Sequence, residues 1–133
     1  MRKLIVLVLV VLIAAILLVR CSSEKDERLV IGLSLSSMKD PFLLTLKQSA
    51  EETSAEHNVR LVVTESQANL AKQINAVEDL MQRGVDILVL NPIDAKGIIP
   101  AVEAANEAGI PVLIVDTDAL GGDKLSFIGS DNV

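Results

Sequence analysis

Apolar positions along the chain fall into two regimes. Residues 4–19 carry no polar side chain, whereas from residue 29 short apolar runs alternate with longer amphipathic stretches. The run at 29–33 fits a buried strand. Pro41 then sits where a first helical residue tolerates proline, and helical spacing continues to His57. Leu43, Leu46, Ala50 and Thr53 share one face of that helix, with Lys47, Glu51 and Glu52 turned away. Asn58 stops it, because asparagine tolerates the left-handed cap conformation. Residues 59–64 are rich in β-branched side chains and form a second strand. Leu70, Ile74, Val77, Leu80 and Met81 make a helical stripe that Gly84 ends, and 86–90 is a third strand closed by Asn91 and Pro92. Asp94 is placed to cap the next helix, whose stripe is Ile98, Val102 and Ala105 and whose stop is Gly109. Residues 111–115 and 125–128 are the fourth and fifth strands, the last following the Gly121-Gly122 turn.

Strands two, three and four begin near Val59, Val85 and Ile110, a repeat of 26 and then 25 residues. Each unit is a strand followed by a helix, and the strands are apolar on both sides. That pattern predicts an α/β fold, a doubly wound parallel sheet of five strands covered on both faces. In such a sheet a ligand binds beyond the carboxyl ends of the strands, where the winding reverses. The segments that bear on function are therefore 34–40, 64–69, 91–94 and 116–122.

The uninterrupted apolar block has a different meaning. Arg2 and Lys3 precede it and Arg20 follows it, as in the charged and apolar regions of an export signal. Sixteen apolar residues are few for a spanning helix, which needs about 20. Cys21 comes next, and residues 18–21 (LVRC) are similar to a bacterial lipobox, in which the cysteine becomes the lipidated first residue. The departure is Arg20, where that motif carries a small residue. Two readings are open, a lipoprotein lipidated at Cys21 and an uncleaved membrane anchor. Both place the remainder outside the cytoplasm, tethered to the membrane through the N-terminus. The expected organisation is 1–21 as signal or anchor, 22–28 as a polar tether, and 29–133 as the folded domain.

Charge and composition narrow the functional classes. The 133-residue chain has a formal charge of −6, and without Arg2, Lys3 and Arg20 nine basic residues face eighteen acidic ones. A domain that acidic, with only two aromatic residues, is a poor match for nucleic acid. One Cys and one His exclude a disulfide framework and a Cys/His metal cluster. The first loop lacks a G-x-G-x-x-G pattern and a lysine-bearing phosphate loop. No nucleophile–base pair accompanies these absences, so the expectation is a binding protein without cofactor, not an enzyme.

The first loop offers Ser34, Ser36, Ser37, Lys39 and Asp40, followed closely by the ring of Phe42. Hydrogen-bonding groups beside an aromatic suit a polyhydroxylated ligand: carboxylates accept hydroxyl protons, and a ring face packs on the C–H side of a sugar. Asp116 and Asp118 follow the fourth strand and add acceptors to the same rim. Asp40 is equally suited to capping the helix that starts at Pro41, and Phe42 to filling the core.

Several stretches together carry a resemblance. Residues 31–47 (IGLSLSSMKDPFLLTLK), 83–94 (RGVDILVLNPID), 108–116 (AGIPVLIVD) and 128–132 (IGSDN) resemble, in that order, the N-terminal lobe of type I periplasmic sugar-binding proteins, the ribose/galactose-binding group. The resemblance implies a receptor that holds a monosaccharide between two lobes and delivers it to an ABC transporter permease. Residues 29–133 would be most of the first lobe, with the second lobe absent, as in a fragment. It implies ligand contacts from Ser36, Asp40 and Phe42 in the first loop, and from Asp116 and Thr117 after the fourth strand. Ribose-binding members carry a second aromatic where Leu43 stands and an arginine where Thr117 stands, and Asp40 matches hexose-binding relatives, so a hexose is implied over ribose. An anchored sugar-sensing input domain of a signalling protein is the competing function.

Overall fold

Strands that are apolar on both sides need helices over both sides. The computed structural model describes residues 27–129 and has that arrangement. In chain order it contains β1 (Val30–Leu35), α1 (Pro41–Glu56), β2 (Arg60–Glu65), α2 (Leu70–Gln82), β3 (Ile87–Leu90), α3 (Ile99–Glu107), β4 (Val112–Val115) and β5 (Ser126–Ile128). Every neighbouring pair is parallel, and the sheet order is β2-β1-β3-β4-β5. The chain steps outward from β1 to β2, then crosses back to β3, so the winding reverses between β1 and β3. The expected five-strand, doubly wound fold is the one observed.

Chain stops fall where the sequence places them. Asn58, Gly84 and Gly109 all take a left-handed backbone, with φ of 55°, 73° and 72°. Small shifts at the boundaries involve side-chain hydrogen bonds to the backbone. Asp86 lies just before β3, its N–H donating to Val30 O at 2.8 Å while its carboxylate accepts the backbone N–H of Val30 at 2.7 Å, fastening the start of β1. Asp94 does not cap α3 directly. Its Oδ1 accepts from the backbone of Lys96 and Gly97, closing a turn ahead of the helix, and the N-cap itself is Ile98, with no side-chain hydrogen bond.

The two faces of the sheet are filled differently. On one, Val77 and Leu80 of α2 and Ala101, Val102 and Ala105 of α3 pack on Leu88, Leu90, Val112 and Ile114, all buried. On the other, α1 buries Leu43 against Leu33 and Leu35, with Leu46, Ala50, Leu61, Val63 and Val89 partly covered. Thr53, expected on the covered face of α1, is exposed. It lines a groove of about 550 Å³ between the second half of α1 and the sheet, floored by Ile31, Leu61, Val89 and Val115.

Candidate functional site

Parallel strands deliver their carboxyl ends to one edge, and here those ends are polar. Ser36 follows β1, Glu65 closes β2, Asn91 follows β3 and Asp116 follows β4. At the winding reversal Ser34 pairs with Leu90, and the backbone N–H of Asn91 continues the ladder by donating to Ser34 O at 2.9 Å. Asn91 is therefore held between β1 and β4, and its side chain is only 1% exposed. Its Oδ1 accepts from the backbone N–H of Ser36 at 3.1 Å and from the Ser36 hydroxyl at 2.5 Å. Its Nδ2 donates to Val115 O at 3.4 Å and to Asp116 Oδ2 at 3.1 Å. The Ser36 carbonyl accepts in turn from Ala68 N at 2.7 Å, and Glu65 Oε1 accepts from Met38 N at 3.2 Å. Loops after all four strands are thus tied into one rim.

Asp116 has a backbone φ of 66°, in the left-handed region that costs most residues energy. Its N–H donates to Ile128 O at 2.8 Å, while its side chain remains exposed. Aspartate is among the few side chains that tolerate the left-handed backbone, and so uncommon a conformation at a strand end is a physical pointer to a site. Thr117 is half-buried beside it, its N–H turned back on Val115 O at 2.8 Å.

Asp40 is the N-cap of α1, its Oδ1 accepting from Phe42 N at 2.8 Å. That capping bond leaves Oδ2 as a further acceptor. Phe42 is 49% exposed, so its ring is not core. Leu43, where the family resemblance implied a second aromatic, is buried at 3% against Leu33 and Leu35. Its departure falls on the packing of α1.

Ser36 and Asp116 are therefore brought together through Asn91, and Asp40 with Phe42 shares the first turn of α1. Other expected rim residues are not available there. Ser34 is fully buried within the sheet, and its hydroxyl has no hydrogen-bond partner among the described residues. Asp118 accepts from Ala119 N at 2.8 Å and pairs with the Lys124 ammonium, so its carboxylate holds its own loop. The Ser37 hydroxyl accepts from Lys39 N at 3.2 Å. Cys21 and the apolar block lie outside the described residues. Among the described residues no helix is long and apolar enough to cross a membrane, and no group of three or more His, Cys, Asp or Glu could hold a metal ion.

Asn91 and Gln73 are the rim-building residues that sequence reasoning missed. Gln73 is fully buried on α2. Its Nε2 donates to Asn91 O at 2.8 Å and its Oε1 accepts from Ile93 N at 3.0 Å, clamping the loop after β3 from below. A signal was present: Gln73 is a polar residue three positions after Leu70, on the helix phase that Val77 and Leu80 bury.

Comparison with known proteins agrees with this architecture. The ribose import binding protein of Salmonella typhimurium is 40% identical over 133 residues, covering 100% of this chain and 44% of that protein. An ABC transporter solute-binding protein of Mycobacterium smegmatis, solved with bound glycerol, is 37% identical with a TM-score of 0.75 over 79% of this chain and 36% of its own. The fructose-binding periplasmic domain of a hybrid two-component system is 28% identical with a TM-score of 0.74, again over 79% of this chain and 35% of its own. The chain spans less than half the length of these relatives. Residues 31–133 match the periplasmic binding protein domain, and the chain belongs to that family.

Proposed function

We propose that residues 29–133 form the N-terminal lobe of an extracytoplasmic receptor that captures a neutral monosaccharide reversibly and passes it to the permease of an ABC-type importer. The observation that carries this reading is the acceptor rim at the winding reversal, Ser36 joined to Asp116 through Asn91. Asp40 and the exposed ring of Phe42 stand on the first turn of α1. Hydroxyl and carboxylate oxygens accept from adjacent sugar hydroxyls, and the ring packs on the C–H face. Thr117, next to Asp116, tunes which sugar fits. Cys21 or the apolar block holds the receptor at the membrane. Equal fatty-acid labelling of wild type and Cys21→Ser would remove the lipidated form of that tether.

The test is a chimaera in which residues 29–133 replace the matching segment of the Salmonella ribose import binding protein, titrated calorimetrically with pentoses and hexoses. Saturable binding is expected. Asp116→Asn keeps a side chain that tolerates the left-handed backbone but loses the charge, so affinity should fall roughly tenfold. Absence of binding to every sugar, or unchanged affinity in Asp116→Asn, would overturn the proposal. The 133-residue chain alone should show no saturable binding at submillimolar sugar.

The likeness to the fructose-binding domain of a two-component system favours a second reading, an input domain that senses sugar for a signalling protein. Cross-linking in membranes separates the two. Capture of a transporter permease supports import, and capture of a kinase or chemoreceptor supports sensing.

A further inference from the structure

A buried primary amide can make four hydrogen bonds, two through its oxygen and two through its nitrogen. Asn91 makes four, to Ser36 N, Ser36 Oγ, Val115 O and Asp116 Oδ2. Their chemistry fixes which way the amide faces. The Ser36 N–H can only donate, so the oxygen faces β1; the Val115 carbonyl can only accept, so the nitrogen faces β4. A flipped amide would set donor against donor on one side and acceptor against acceptor on the other.

Two consequences reach the rim. Because Oδ1 can only accept, the Ser36 hydroxyl must direct its proton inward, and it presents lone pairs alone to anything outside. Because Nδ2 holds Asp116 Oδ2, the exposed carboxylate is pinned in one orientation with Oδ1 left to accept. We infer that Asn91 is the positioning residue of this rim: it touches no ligand itself, but turns Ser36 and Asp116 into two fixed acceptors matched to neighbouring hydroxyl donors. Gln73 supports it one step further back, by gripping the Asn91 carbonyl. Pinning a side chain before the ligand arrives removes an ordering cost from binding. The inference rests on the sugar-binding reading for its ligand, but not for its geometry.

The experiment has two arms. In the labelled full chain, in detergent micelles, the Hα–Hβ couplings of Asp116 should report a single χ1 rotamer. Asn91→Asp is close in shape and keeps an oxygen for Ser36, but it replaces the donor facing Asp116 by a carboxylate. The couplings should then average while the backbone amide of Ser36 keeps its chemical shift. Asn91→Ser, without the carboxylate, should average them as well. An Asp116 side chain that already averages in wild type, or stays fixed in both variants, overturns the inference.

The second arm measures sugar affinity in the chimaera. Asn91→Ser should weaken binding about two- to tenfold with both acceptors present, and by less than twofold in a Ser36→Ala, Asp116→Gly background that lacks them. Glycine is chosen because it accepts the backbone φ of 66°. Equal losses in both backgrounds mean that Asn91 only supports the fold. If the couplings respond as expected while the wild-type chimaera binds no sugar, the sugar reading falls and the positioning role stands.

Discussion

The two faces of the sheet are built from the same strands, and alternation along each strand supplies both with branched aliphatic side chains. On the α2/α3 face those side chains meet two helices whose buried positions are apolar apart from Gln73, and Leu80, Leu88, Leu90, Val102 and Ile114 are completely buried. On the α1 face one helix serves β1, β2 and β3. Its first half inserts Leu43, but its second half brings Ser49, Thr53, Ser54 and His57 to the groove. Helix α1 relies instead on local devices: the Asp40 cap, Pro41 at its start, and the Lys47–Glu51 pair at 2.7 Å. Helix α3 has no side-chain cap hydrogen bond at all and is held by what it buries. Helix α2 has both, burying Val77 and Leu80 while Asn69 Oδ1 caps it by accepting from Lys72 N at 2.9 Å, and the acceptor rim is borne by elements of both faces.

Truncations matched across the two faces test that contrast most strongly. Leu80→Ala opens a cavity in the filled core and should cost about 2–5 kcal/mol in urea unfolding of the full chain in micelles. Leu46→Ala, on the half-covered face, should cost about 1 kcal/mol. Equal losses would mean that the groove is closed in solution. The reliance of α1 on its cap is the next largest effect: Asp40→Ala should cost about 1 kcal/mol, and Asp40→Asn only a few tenths. A loss below a few tenths for the alanine variant would show that α1 is held by packing after all. The smallest effect sharpens the groove itself. Thr53→Leu improves helix propensity and adds apolar surface over Ile31 and Leu61, so stability should rise by about 0.5 kcal/mol. A fall in stability would show that Thr53 has polar work to do there.

The order of strands and helices was legible because each unit carries its own punctuation, such as Asn58, Gly84 and Gly109. Side-chain hydrogen bonds to backbone groups were not. Asp86 reads as the first residue of a strand, and only the three-dimensional pairing of β1 with β3 brings Val30 N to its carboxylate. In the rim, Asp116 was legible from topology, since it follows an apolar strand in a parallel sheet. Periodicity did not separate Ser34 from Ser36, and the family resemblance alone singled out Ser36, because the last residue of β1 decides which one lies beyond the sheet. Asn91 reads as a strand terminator before Pro92, and its four partner atoms belong to residues 24 to 55 positions away. Asp118 looked like a second rim acceptor until the turn at Gly121 and Gly122 returned Lys124 to it.

The left-handed backbone of Asp116 also bears on how a receptor of the proposed kind would change its ligand. A residue with an ordinary β-carbon loses roughly 1–2 kcal/mol in that conformation, whereas glycine, asparagine and aspartate are tolerated. Position 116 therefore has an alphabet of about three letters, and two of them forfeit the charge. Under the proposed function, selection for a new ligand would be steered to the adjacent Thr117, whose φ is not positive. A saturation library scored only for folded protein, before any sugar is added, would read this directly, as a narrow spectrum at 116 beside a broad one at 117.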